Sequence, residues 1–541
     1  MKSKYIVMRG GILGVLTSLC LCLLAFNAYA QDVITFADSP SPATLTEENA
    51  TQRDLQVLGK LLKESHPKML EEGFAIRLDS ELAKFYQLAK HVDTPADSYL
   101  LLQQFTSLMG DGHTTLTLDT ALFKTYYPIR LGIEEYPTVR LMTAPKTLQS
   151  YVGKEIKSIC DIPILDVVDT LRRYISADNV QYSLSQISAL GSFCIYWRSL
   201  GLDTLKVTFA DMDSIFISPI SVSNRVELYS NPNAKHYSTL TAPRKALYWY
   251  DVMAAPGVAY LQMNAMKDYQ SEYSRITSSK PSGYKLTPQE QAYLSSLPRF
   301  SDFIDQMFQE MDSLHTHTLI IDLRYNSGGS SMLGDMLLEY LPTQRESTSN
   351  YTYHLRVSEL WRSNCPSLSE RIPKEYSGKI IDGKTFSDLI LTDGQSQMSC
   401  DQSHTPRRTF KGDVYIFVGE KTFSSAGMLA TVAQDAGVAL ILEDASSPCA
   451  FAPCHYGDVI GFTLPNSGFK GYTSSKSFVR PDQTRCGEKR LLPDRSISQT
   501  KDTTQLGDDP LWEYVINTTS ETKTSKISNI LNSFTEAKQE R

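Results

Sequence analysis

The 541-residue chain contains no CxxC pair and no HExxH run, which argues against structural zinc and against zinc-hydrolase chemistry. It also lacks a basic excess: 53 Lys and Arg stand against 60 Asp and Glu, a formal charge of −7. A nucleic-acid or anionic-membrane partner would call for the opposite balance. Long apolar runs are missing beyond the amino terminus, so no stable membrane insertion is expected for the body of the chain. The length exceeds what one hydrophobic core organises, and two or three domains are expected.

The amino terminus itself reads as an export signal. Lys2, Lys4 and Arg9 precede an apolar run from Ile12 to Phe26, and Ala28-Tyr29-Ala30 offers a small-residue cleavage site. Loss of residues 1–30 would start the mature chain near Gln31, take its charge to −10 and release it to the periplasm or the medium. Neither Cys20 nor Cys22 follows a small residue, which favours cleavage over a lipid anchor. Seven cysteines would remain: Cys160, Cys194, Cys365, Cys400, Cys449, Cys454 and Cys486. The odd count leaves at least one unpaired; Cys449 with Cys454 could close a short loop, although spacing does not decide the pairing.

Hydrophobic periodicity divides the rest. Leu55, Leu58, Leu61 and Leu62 recur at helical spacing, Phe74 to Ala89 continues the pattern, and a third segment follows Thr94-Pro95, a good N-cap and first helical residue. In that segment Leu101, Phe105 and Leu108 are the expected buried stripe, and Gly110 the stop. These features predict a helical domain over residues 31–118. Short alternating segments such as Ile129 to Ile133 and Leu205 to Phe209 predict a β-rich module over 119–225. From Leu247 onward strands alternate with helices: Thr318 to Leu323, a helix near Met332 to Tyr340, then strands Val414 to Val418 and Val438 to Leu442. Such alternation predicts a mostly parallel sheet, an α/β domain over 226–520, with a surface insertion at Ser278 to Pro298 and a frayed tail at 521–541.

Two turns of that last domain carry candidate chemistry. Asn326-Ser327-Gly328-Gly329 follows an apolar strand, and paired glycines let backbone amides converge on a ligand oxygen, as an oxyanion hole requires. Thr422-Phe423-Ser424-Ser425-Ala426-Gly427 places serines at a helix start, where unpaired amides and the helix dipole favour developing negative charge. Taken singly, the first could be only a tight turn and the second only a cap.

Taken as an ordered set, these pieces resemble the tail-specific (C-terminal processing) serine peptidases. The matching residues are Asp322 to Gly329, Phe423 to Ala426, Gln434-Asp435, Glu443, Tyr456-Gly457, Leu464 to Gly468 and Pro493-Asp494. The resemblance implies a crotonase- or ClpP-like α/β catalytic domain with Ser424 as nucleophile. The Ser425 amide, with that of Gly328 or Gly329, would hold the oxyanion. Ser424 is preferred to Ser425 because it stands ten residues before Gln434. Val152 to Ile164 looks like the core of a PDZ-type domain, which another small β-rich insert would fit about as well.

The general base departs from part of that family. Many members place a lysine about 25 residues after the serine, yet no lysine occurs between Lys421 and Lys470, and Cys449 stands at that spacing. The tricorn-like branch takes a histidine from its helical front instead, and here Gly110-Asp111-Gly112-His113-Thr114 follows the third helix. His113 is therefore the expected base. A base needs an orienting partner; Glu488, Thr114 and Asp111 are the candidates, because Gly112 stands where that branch has a serine. His315 and His317 alternate like a metal pair, but no further ligand completes a site, so neither metal nor cofactor is expected. A peptide or unfolded protein is the expected substrate, with the oligomeric state left open. A non-catalytic peptide-binding protein is the alternative, motivated by the missing lysine and by the unusual Ser446 to Cys454 stretch; a crotonase-like acyl-transfer or hydratase enzyme fits less well.

Overall fold

In the computed structural model the described residues are 48–118, 122, 124–133, 136–190, 202–221, 223–224, 226–230, 246–341, 350–390, 409–498 and 509–519. The expected export signal, Cys194, Cys400 and the 521–541 tail lie outside them, and the statements below concern the described residues.

Three helices open the chain. Helix α1 (Ala50–Ser65) begins at Asn49, whose side chain accepts the Gln52 amide while the Gln52 side chain answers the Asn49 amide, a reciprocal cap. Its four leucines are buried. Helix α2 (Phe74–Ala89) follows, and α3 (Pro95–Ser107) is capped by the Thr94 hydroxyl, which accepts the Asp97 amide. The stripe expected on α3 is corrected in part: Tyr99, Leu102, Phe105 and Met109 are buried, whereas Leu101 and Leu108 are only partly so. The reason is tertiary. The three helices share one core with Leu355, Trp361, Ile460 and Phe469 from far downstream, so α3 turns a second face inward. Burial of Leu102 or Phe105 contributes about 2–3 kcal/mol each.

The β-rich module holds a two-stranded antiparallel pair, Thr125–Tyr126 with Ile220–Ser221, and two larger antiparallel sheets. One orders Leu228–Ser230, Arg140–Pro145 and Arg130–Gly132; the other orders Ile162–Pro163, Ile156–Ile159, Leu205–Phe209 and Ser214–Ile217. Helices Ile164–Arg172 and Val180–Leu190 complete it, and Ile156, Leu171, Ile187 and Val207 meet in its core.

The large region is built on a six-stranded sheet whose strands lie in chain order: β1 (Tyr248–Ala255), β2 (Val258–Met263), β3 (Thr318–Asp322), β4 (Asp413–Val418), β5 (Leu440–Asp444) and β6 (Arg495–Ile497). β1 and β2 form a hairpin, and the remaining pairs are parallel. The unbroken apolar run in β3 follows from burial on both faces: Leu319 and Ile321 enter one core and Ile320 the other. Helices α4 (Met332–Leu338) and α5 (Ser425–Asp435) follow β3 and β4. They approach closely at Gly334, where an added Cβ would lie 3.3 Å from Leu429 Cβ. Asp322 pairs with Phe417, so the turns leaving β3 and β4 emerge side by side at the carboxyl edge of the sheet, where open parallel sheets present ligand sites.

A second, antiparallel sheet joins front and rear. Lys470–Val479 pairs with His455–Thr463, with Thr352–Arg356 and with the short strand Thr115–Leu116, registering Thr115 against Tyr472. Two residues before Thr115 stands His113, so this pairing carries the front loop to the large region. The disulfide links Cys454 to Cys486 rather than to Cys449. Cys449 is instead a buried free thiol: its amide donates to Glu443 Oε2 at 3.0 Å and its sulfur lies 3.9 Å from the Thr422 carbonyl. No described helix is long and apolar enough to cross a membrane.

Candidate active site

The turn after β4 is stitched to the turn after β3. The Thr422 hydroxyl donates to the Leu323 carbonyl at 2.8 Å, the Phe423 amide to the Asn326 carbonyl at 3.1 Å, and the Ser425 hydroxyl to the Gly329 carbonyl at 2.8 Å. Between them Ser424 stands immediately before α5 with φ 50° and ψ −130°, a conformation an L-residue holds at a cost of about 1–3 kcal/mol. Strain of this kind persists where surrounding bonds over-determine it. Ser425 spends its hydroxyl on the turn and is buried; no such bond ties the Ser424 hydroxyl.

The glycine turn presses against this serine. A Cβ on Gly328 (φ 104°) would lie 2.7 Å from Ser424 Cβ and 3.0 Å from the Ser425 nitrogen. Gly329 (φ 136°) has the Met266 carbonyl oxygen 2.2 Å from where its Cβ would be. Only glycine fits at either place. The Gly328 amide donates to Asn326 Oδ1 at 2.9 Å; the Gly328 carbonyl accepts the Met266 amide, and the Ser330 amide donates to the Met266 carbonyl. The Gly329 amide lies between these bonds and enters neither. Like the Ser425 amide in the first turn of α5, it has donor capacity left.

His113 arrives from the front. Its ring stacks on Phe423, the residue before Ser424, with centroids 4.6 Å apart, and on its other face on His455 at 5.9 Å. The stack continues to Tyr182 beyond Phe423 (4.7 Å) and to Phe478 beyond His455 (5.1 Å). Neither ring nitrogen of His113 makes a hydrogen bond.

Asp111 lies beneath it, wholly buried. Its Oδ1 accepts the His113 amide at 2.9 Å and lies 3.6 Å from His113 Nδ1. Its Oδ2 accepts from Thr114 Oγ1 and Ser474 Oγ, each at 2.6 Å, and contacts His66 Nε2 at 3.0 Å. The Lys68 amide donates to His66 Nδ1, so the His66 proton sits on Nε2 and points at Asp111. Burial alone would raise the Asp111 carboxyl, but the two histidines reverse this and hold it well below the usual carboxylate range. Burial lowers His66, and it stays neutral. For His113 burial also acts downward, but the Asp111 carboxylate close by, aided by Asp178, brings the net shift upward. Burial drives His455 down to about 3, reinforced by His113.

The structure thus brings Ser424, Gly328, Gly329, Ser425, His113, Asp111 and Thr114 together. Glu488 is engaged elsewhere, by Arg480 at 2.8 Å and Arg485 at 2.8 Å. Arg480 is shared with Asp435, which explains why the acidic residue of Gln434-Asp435 is buried. His66, Asp178 and Tyr182 carry no signal in the sequence that marks them as partners of this site, whereas His455, beside Cys454, stands in the stretch expected at its rim. Cys449, at the spacing of the family lysine, has its thiol pushed up to about 12 by burial and is no base.

Residues 257–446 match the profile of Peptidase family S41. Over that segment the chain is similar to the S41, tail-specific serine peptidases. A search of the curated proteins finds no match to this chain. Among solved structures it is similar to mature CPAF complexed with lactacystin (16% identity, 83% of this chain and 94% of that chain, TM-score 0.51). A second structure of mature CPAF gives 17% identity, 80% and 90% coverage and a TM-score of 0.50. These show that the chain shares the CPAF fold. The photosystem II D1 C-terminal processing protease matches at 11% identity over 85% of this chain and 98% of that one, with a TM-score of 0.38.

Proposed function

We propose that the chain is an exported serine endopeptidase in which Ser424 is the nucleophile, His113 the general base and Asp111 the residue that orients it. The observation that carries this reading is the stack of the His113 imidazole on Phe423, with Asp111 fixed beneath by four donors. A histidine base resembles the tricorn-like branch, and the absence of a lysine at the family position agrees.

In this mechanism Nε2 of His113, free of other bonds, takes the Ser424 proton as Oγ attacks a peptide carbonyl. The serine–histidine bond forms as substrate seats, as such bonds often tighten from looser resting geometry. The Gly329 and Ser425 amides hold the oxyanion; the Gly328 amide is already satisfied by Asn326. The imidazolium then protonates the leaving amine, the C–N bond breaks, and water releases the acyl group by the same base. Asp111 stabilises the imidazolium and keeps the Nδ1 proton directed toward itself. The sheet-bearing region is read as crotonase/ClpP-like. The β-rich module is read as PDZ-like, with an edge strand such as Ser214–Ile217 available to an extended peptide.

A fluorophosphonate probe tests the reading. Wild type should label, Ser424→Ala should not, and His113→Ala should label far more slowly. Equal labelling of Ser424→Ala would move the nucleophile. A folded wild type that neither labels nor cleaves peptides would make the chain a binding protein on a peptidase fold.

A further inference from the structure

The loop that holds His113 is fastened by one short segment of the β-rich module. Ser176 Oγ accepts the Asp111 amide at 3.1 Å and donates to the Asp111 carbonyl at 2.7 Å. Asp178 Oδ2 accepts the Gly112 amide at 3.0 Å. Asn179 Nδ2 reaches across to the Ala450 and Lys489 carbonyls, and Tyr182 stacks on Phe423. The fit is close: a Cβ on Gly112 would lie 2.9 Å from Asp178 Oδ2, 2.9 Å from Phe423 Cζ and 3.0 Å from Tyr182 Cε1. The serine found before the histidine elsewhere has no room here, because this segment occupies its place.

We propose that Asp178 is a positioning residue that, from the β-rich module, holds the His113 loop through Gly112 and supplies a second negative charge to the His113 imidazolium. The idea rests on the reading of His113 as base. The groups that face His113 are Asp111 on its own loop, His66 behind Asp111, Asp178 and Tyr182 from the module, and His455 and Tyr456 from the hairpin. His66 and His455 are neutral, so the carboxylates of Asp111 and Asp178 are the two charges that favour the protonated ring. Burial, reinforced by repulsion from Asp111, brings Asp178 up to about 6. The module is in this way a part of the catalytic apparatus rather than only a holder of substrate.

The test is the pH profile of fluorophosphonate labelling of the full chain, from about pH 5 to 9, with peptide hydrolysis in parallel. Asp178→Asn keeps an acceptor for the Gly112 amide and removes the charge. Its acid limb should move to lower pH by roughly 0.5–1 unit while the plateau rate stays within about threefold. Asp178→Ser, smaller and also an acceptor, should move the limb likewise, and covers failure of the first variant to fold. Ser176→Ala, which loosens the loop without changing charge, should lower the plateau and leave the limb in place. An unmoved limb in the folded Asp178 variants overturns the inference, provided His113→Ala has lost labelling. Wild-type labelling in His113→Ala would instead overturn the base assignment itself.

Discussion

Asp111→Asn is the sharpest perturbation of the proposed centre, because it changes one oxygen to nitrogen inside a fully buried cluster. Asp111 Oδ2 meets three donors, and the one from His66 cannot become an acceptor while Lys68 donates to the other ring nitrogen. The asparagine oxygen must therefore take that side, and its NH₂ must face the His113 amide and Nδ1. One buried amide loses its acceptor, at about 1–3 kcal/mol, and the charge-assisted bonds on the other side weaken, so a total loss of about 2–4 kcal/mol is expected. The NH₂ donates to Nδ1 and thereby moves the His113 proton to Nε2, where it blocks acceptance of the Ser424 proton. A wrong tautomer of this kind lowers turnover on the order of 10³- to 10⁴-fold. The assay is the second-order labelling rate with a fluorophosphonate beside peptide turnover, with a thermal melt to verify folding. Labelling of a folded Asp111→Asn variant within about threefold of wild type would refute the orienting role, since no tautomer effect of the required size could then exist.

Three further outcomes follow from the same geometry. Gly328→Ala should abolish labelling and lower the melting temperature, because its Cβ would stand 2.7 Å from Ser424 Cβ at a φ of 104°; an active, stable alanine variant would show that the turn is not in register with the serine. Ser425→Ala should keep labelling within about tenfold and cost about 1 kcal/mol, the bond to the Gly329 carbonyl, whereas total loss of labelling would make Ser425 the nucleophile. The kcat/KM of wild type should rise with pH through a midpoint above the ordinary 6.5 of histidine, because the base must be neutral and its protonated form is favoured by Asp111. A midpoint below 6.5 in the pH–rate profile would contradict this assignment.

What could be read from the chain was whatever is decided locally. Phe74–Ala89 and Leu205–Phe209 emerge with the bounds their periodicity predicts, because the apolar pattern within each segment is enough to mark it as helix or strand. The strand–turn–helix around Ser424 was legible for the same reason: an apolar strand, small residues and an apolar helix suffice to mark it. Leu101 and Leu108 were misjudged because α3 is packed from two sides, and a single-stripe pattern cannot express that. The choice of Cys486 as partner of Cys454 across 32 residues depends on the hairpin returning beside it, which spacing does not encode.

The partners of His113 belong to this second kind. His66 ends the first helix, and Asp178 and Tyr182 come from the β-rich module; nothing in the chain announces that they share one place with His455, which opens a hairpin of the antiparallel sheet. They had to be separated in sequence for a physical reason. A buried carboxylate bonded to four donors, beneath an imidazole stacked on both faces, is stable only where side chains are held by elements that cannot relax toward it. A single loop could not immobilise all of these groups. The pairing of Thr115 with Tyr472 and the fastening by Ser176 and Asp178 supply the rigid frame, so loosening either should disturb the base before it disturbs the serine.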